Sequence, residues 1–285
     1  MGKYKISTEI GSAAAIIGEA RAVEQVALAG FDGWDFSMFR MKDSPDTAGY
    51  PLLTENYRDF AKRLRHIGEE NGIRCNQAHA PFPSRSPAVR DYLERALECA
   101  AIAGADICVV HPDNRASAEE NAELYRALLP TAKQYGVKIA AENMWNWAKG
   151  VPTASPAACS HHEDFLKHIT AVNDPYLVAC LDIGHAEMAG LDTSAEKMIL
   201  TLASHLRAIH LHDNDRLHDS HQIPFSMDID FGKIAAALKS VGYGGYITLE
   251  CDRYLSSIGA KNLTDVSVGL RALAESARKF AKMAE

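Results

Sequence analysis

The sequence predicts an α/β fold: a single (β/α)8 TIM barrel with a metal site at the C-terminal ends of its strands. Three observations carry the fold. Eight short β-rich runs alternate with eight longer Ala/Leu/Lys/Glu runs at helical period. Gly30, Gly72, Gly104, Gly136 and Gly242 each follow a helical run, where a left-handed C-cap favours glycine. No linker or low-complexity segment interrupts the series, so residues 1–285 read as one domain. An open doubly wound sheet is the alternative, but the GxGxxG turn expected after its first strand is absent.

The units run in order along the chain. "YKISTEI" (4–10) precedes a helical candidate over 16–29, and "GWDFSM" (33–38) precedes 54–71. "IRCNQAHA" (73–80) leads to 87–103, and the apolar "DICVVHP" (106–112) to 117–135. "VKIAAEN" (137–143) leads to 160–172, and "YLVACLDIG" (176–184) to 194–204. "LRAIHLHD" (206–213) and "YITLEC" (246–251) precede 230–241 and 264–282. Joins such as "AIAGADICVV" and "KQYGVKIAAE" are short helix-to-strand turns built on a glycine.

Composition narrows the function classes. A 47% hydrophobic and 24% charged chain has ample material for a soluble core. Its net charge of −7 gives no general attraction to nucleic acid. No apolar run reaches membrane-spanning length, and "MGKYKISTEIGSAAA" lacks the features of a signal peptide. The six cysteines form no CxxC pair and mostly lie in apolar runs, as reduced buried thiols do. The expectation is a cytoplasmic protein without disulfides, and the Ala-rich outer helices permit a homo-oligomer.

In a (β/α)8 barrel, chemistry sits where the strands end. Here strand 3 ends at His79, strand 4 at His111, strand 5 at Glu142, strand 6 at Asp182, strand 7 at His210 and strand 8 at Glu250. Alone, a histidine after a strand is an ordinary loop or core residue, and an acid there is an ordinary ion-pair partner. Together they form one ring at the barrel mouth. Buried carboxylates cost several kcal/mol unless paired or metal-bound. Glu142, Asp182, His210 and Glu250, on four successive strands, would offset that cost around one divalent cation: Mn2+, Zn2+, Co2+ or Mg2+.

The motifs "AEN", "LDIGHA", "HLHD", "DSHQIPF" with "DIDF", and "GGYITLE" resemble those of the xylose-isomerase-like TIM-barrel superfamily over nearly the whole chain. That group holds sugar and sugar phosphate isomerases and epimerases, inosose dehydratases and apurinic-site endonucleases. The resemblance implies Glu142, Asp182, His210 and Glu250 as the metal set, with His185 and Arg216 contacting substrate hydroxyls. It also matches His79, His111, Asp219 and His221 to the added ligands by which the endonucleases hold further zinc ions. His79 is thus a candidate for substrate or for metal. His212 and His218 have no counterpart and are expected in solvated loop.

Three function classes follow. An isomerase or epimerase would use Glu142 and Glu250 as a general acid/base pair on a sugar or polyol. An inosose-type dehydratase uses the same apparatus. An apurinic-site endonuclease would use the added histidines, but the acidic chain lacks a dense basic stretch in its strand-end loops. A non-catalytic barrel is disfavoured by the complete ligand set. Residues 143–160 are expected to cover the site, with Trp145 and Trp147 as an aromatic wall for substrate. Arg40, Lys42 and Arg253 are candidates for a substrate phosphate or for plain surface charge.

Overall fold

A computed structural model describes residues 3–285. Eight parallel strands close into a barrel: β1 (Ile6–Glu9), β2 (Gly33–Ser37), β3 (Arg74–His79), β4 (Ile107–Val109), β5 (Lys138–Glu142), β6 (Leu177–Asp182), β7 (Leu206–Leu211) and β8 (Ile247–Leu249). Each strand pairs with its neighbours in sequence, and β1 pairs with β8 to complete the circle. The predicted (β/α)8 barrel is the observed fold.

The helices follow the predicted runs, with instructive differences. The run over 16–29 is two helices, Gly11–Ile17 and Glu19–Leu28, because Gly18 between them takes φ +81°. The run over 87–103 likewise divides into Pro87–Arg90 and Leu93–Ala103. Helix Ala118–Tyr135 starts at a capping box, in which Ser117 and Glu120 satisfy each other's backbone N–H groups. It stops at Gly136, whose left-handed N–H bonds back to Ala132 and Lys133. Strand β4 is shorter than expected, spanning Ile107–Val109, although Val110 N–H still donates to Ala140 O. The stretch after β5 carries a small antiparallel pair, Asn146–Trp147 with Ala154–Ser155.

Two cores result. Large apolar side chains such as Trp34, Phe165 and Phe280 fill the space around the barrel. Inside it, Val109, Ala140, Val178, Cys180 and Ala208 form a separate small cluster. These interior residues alternate along their strands, because side chains on a strand switch faces at each step. Continuing the same alternation towards the C-terminal ends places Glu142, Asp182 and His210 at the mouth of the interior. All six cysteines are buried and unpaired. Among the described residues no helix is long and apolar enough to cross a membrane.

Candidate metal and active site

Strand register assembles the central cluster. Asp182 lies directly beside His210 in the β6–β7 pairing, and Glu142 ends the neighbouring β5. One ligand atom from each of Glu142, Asp182, His210 and Glu250 lies within 4.8 Å of the other three. His210 Nδ1 sits 3.0 Å from Glu142 Oε1 and 3.2 Å from Glu250 Oε2. Glu142, Asp182 and His210 are completely shielded from solvent. Buried Asp182 Oδ2 lacks a hydrogen-bond donor among the described residues, and Glu142 Oε2 has only the ring nitrogens of His79 and His111 in reach. Three buried carboxylates, an orphaned oxygen and one imidazole are the donor set of a divalent cation, and the residues fit such an ion.

Three further groups border this one, the first being Asp35 with His79 and His210. His79 Nε2 and His111 Nε2 approach to 2.7 Å, and His111 Nε2 lies 3.0 Å from Glu142 Oε2. Two imidazole nitrogens converging on one carboxylate form a second candidate ligand group. Burial disfavours charge on His79, but hydrogen bonds to Glu142 and Glu250 outweigh it and push its pKa up to about 9. Burial would raise Glu142, yet His210 and His111 beside it hold its carboxyl well below the usual range.

The third group is His185, His212, Asp219 and His221. His221 Nε2 is 3.1 Å and His185 Nε2 3.4 Å from Asp219 Oδ2. His212 corrects the expectation of a solvated loop. It is fully buried, its ring stacks on His221 with centroids 4.0 Å apart, and its Nε2 lies 3.1 Å from Asp182 Oδ1. The reason is periodic: His212 follows His210 by two residues and so points to the same interior face. His218, by contrast, is exposed as expected.

This packing explains the glycine of "LDIGH". A Cβ at Gly184 would run into the His212 ring. Gly184→Ala is therefore expected to destabilise the fold by about 1–3 kcal/mol through overpacking. Denaturant unfolding measures this, and a wild-type midpoint would show that His212 can move aside at little cost.

A pocket of about 350 Å3 opens over the clusters, lined among others by Phe39, His79, Trp145, His185, Asp219 and Glu250. Trp145 thus forms part of its wall, while Trp147 is half exposed and packs edge-on against Trp145. Arg216 is not brought to this pocket. Its φ is +64°, its Nε donates to Glu187 O at 3.3 Å, and its guanidinium approaches the Glu187 carboxylate at 3.9 Å. Arg253 lines the pocket, Arg40 stacks on Tyr50 in an adjoining chamber, and Lys42 lines neither.

Residues 23–277 match the family described as a xylose isomerase-like TIM barrel. The chain belongs to that family. An uncharacterized protein of Methanocaldococcus jannaschii is 29% identical over 260 residues, spanning 85% of this chain and 82% of the relative. A D-tagatose 3-epimerase-like protein superposes with TM-score 0.68 at 22% identity, covering 98% of each chain. The IOLI protein, solved with a bound zinc atom, superposes with TM-score 0.71 at 15% identity, again over 98% of each chain.

Within this member of the family, three supporting residues lie outside the sequence-predicted set. Asn143, the last residue of "AEN", clips β5 to β6: its Nδ2 donates to Asp182 O at 2.9 Å, and its Oδ1 accepts from Asp182 N at 2.7 Å. That clamp holds Asp182, whose Oδ1 also accepts from His185 N. The far nitrogen of His210, Nε2, faces the Gln77 amide at 2.8 Å and Asp35 at 3.7 Å. A histidine that binds metal through Nδ1 carries its proton on Nε2, and Asp35 or a flipped Gln77 amide can accept it. Period-two spacing from His79 points to Gln77, but no motif marks Asp35.

Glu9, at the end of β1, is a further acid near the mouth. Burial pushes its pKa up to about 7 against the hydrogen bonds from Ser12, and it lines the chamber behind Phe39.

Proposed function

We propose that the chain, acting as one barrel domain in the cytoplasm, is a divalent-metal-dependent isomerase or epimerase of a sugar or polyol. The observation that carries this reading is the convergence of Glu142 and Glu250, from two different strands, on His210, at 3.0 and 3.2 Å from its Nδ1. Glu142, Asp182, His210 and Glu250 would hold the ion, which supplies Lewis acidity that favours negative charge on adjacent substrate oxygens.

The remaining work falls to the chain's own groups. One glutamate removes the proton on the carbon next to the substrate carbonyl, and the other delivers a proton, giving an enediolate between the two steps. The histidines beside Glu142 hold its carboxyl well below the usual range, so it stands ionised and ready to accept a proton. His185 and His79 face the pocket and would orient substrate hydroxyls, while Trp145 and Phe39 cover the C–H faces and exclude water.

A second reading is favoured by one observation: His79 and His111 meet Glu142, and His185, Asp219 and His221 meet one another, as a multinuclear zinc site requires. That reading is an apurinic-site endonuclease. The net charge of −7 and the aromatic pocket speak for the sugar instead.

The test is turnover of ketohexoses and ketopentoses in heavy water, with an abasic duplex assayed in parallel. Deuterium should enter the carbon beside the carbonyl as product forms. A dehydratase would release a product lighter by one water. Metal-dependent duplex incision without sugar turnover would replace the isomerase reading with the endonuclease.

A further inference from the structure

We infer that the substrate carries an anionic substituent, and that this group sits in an outer chamber between Arg85 and Arg115. The inference rests on the isomerase or epimerase reading of the deeper pocket and extends it to a substrate class. The outer chamber measures about 710 Å3. It shares Phe82, His111, Asn114 and Met144 with the deeper pocket of about 350 Å3, so the two form one continuous cleft. The deeper pocket alone is within the size range of small-ligand sites. A chamber twice as large, opening from the same histidine, has room for more than the reacting sugar carbons.

The chemistry of its walls selects the added group. Pro83, Pro87 and Pro112 stiffen the loops around it, so the chamber is largely preformed. Arg85 and Arg115 supply two guanidinium groups, and Asp113 is the one carboxylate in the lining. Asp113 Oδ2 lies 3.5 Å from Arg85 Nε, while its Oδ1 accepts the backbone N–H of Arg115. The Arg115 guanidinium has no carboxylate partner among the described residues.

In the deeper pocket the one guanidinium, that of Arg253, shares the lining with the carboxylates of Asp219, Glu250 and Asp252. The outer chamber instead offers two guanidinium groups against one carboxylate. A planar guanidinium pairs with the oxygens of phosphate or carboxylate through two parallel hydrogen bonds. The substrate class is a sugar or polyol bearing a phosphate ester or a carboxylate.

Equilibrium titration of the manganese-loaded protein tests this with D-fructose, D-fructose 6-phosphate and D-fructuronate, and with D-allulose and its 6-phosphate. At least one anionic form should bind tenfold or more tighter than its neutral parent, and the preferred form distinguishes phosphate from carboxylate. Arg85→Ala with Arg115→Ala should bring that form down to the affinity of the neutral sugar. Both side chains are exposed, and circular dichroism checks that the double variant folds. Equal binding of neutral and anionic forms, or a preference that survives the double substitution, overturns the outer subsite while leaving the proposed function intact. Failure of every ketose to bind, neutral or anionic, overturns both.

Discussion

Glu142→Gln and Glu250→Gln will each lower turnover by about 10²–10⁴-fold, the range that a positioned general acid or base contributes. Glutamine keeps the volume of a side chain that is completely buried at position 142 and nearly so at 250. It also keeps one oxygen donor for a cation, so at saturating metal the loss isolates basicity. The two variants should differ in isotope behaviour. With one acid/base group disabled, the remaining glutamate still exchanges the proton on its own side, so substrate recovered from one variant gains solvent deuterium without conversion. Asp182 is the contrast, because it faces His185 and His212. Asp182→Asn should weaken metal binding first and lose activity as a consequence, recoverable with excess metal. Wild-type turnover in either glutamine variant at saturating metal removes the two-glutamate mechanism. Direct transfer of the substrate hydrogen, with no solvent deuterium in the product, removes it as well.

The strand ends were legible because two periodicities coincide. Alternation along each strand chooses the interior face, and barrel closure brings the C-terminal ends together, so Glu142, Asp182, His210 and Glu250 meet although 108 positions separate the first from the last (250 − 142). The same rule extends to His212, which lies two residues beyond His210 and keeps to the interior face although the strand itself stops at Leu211. Arg216 shows the opposite limit. Its place in the motif says nothing about contacts, and here its guanidinium meets Glu187 and does not line the pocket. Gly18 breaks a helix at a position where the surrounding apolar residues read as continuous. Arg85 and Arg115 come from different loops, carry no shared motif, and acquire a joint meaning only when β3 and β4 lie side by side. Local patterns reveal faces and ends; which loop residues face one another depends on closure of the whole barrel.

Removing divalent metal will lower the melting temperature substantially, and reloading will restore it. The argument starts from charge. Glu142, Asp182 and Glu250 put three carboxylates into one buried cluster, and Asp182 Oδ2 has no donor among the described residues. Breaking the pairing of a buried charge costs about 3–5 kcal/mol. Without a cation the cluster must draw on protons, and His79, His111 and His210 stand within 3.3 Å of the glutamate oxygens to carry them. That compensation is partial, because Asp182 Oδ2 remains unpaired. An ion that binds the folded state alone stabilises it by about 4 kcal/mol at a thousandfold excess over its Kd. At roughly 2–4 °C per kcal/mol for a chain of a few hundred residues, the expected rise is on the order of 10 °C. Dialysis against chelator followed by titration with Mn2+, Co2+, Mg2+ and Zn2+ in a thermal melt gives the measurement, with metal content determined alongside. One tightly held ion per chain assigns the stabilisation to the central four ligands, and Asp182→Asn should then remove most of the gain. Two or three ions would extend ligation to His79 with His111 and to Asp219 with its histidines. Identical melting of chelated and reloaded protein with all four metals would mean that histidine protons alone balance the buried carboxylates, and the metal-dependent mechanism would fall with that result.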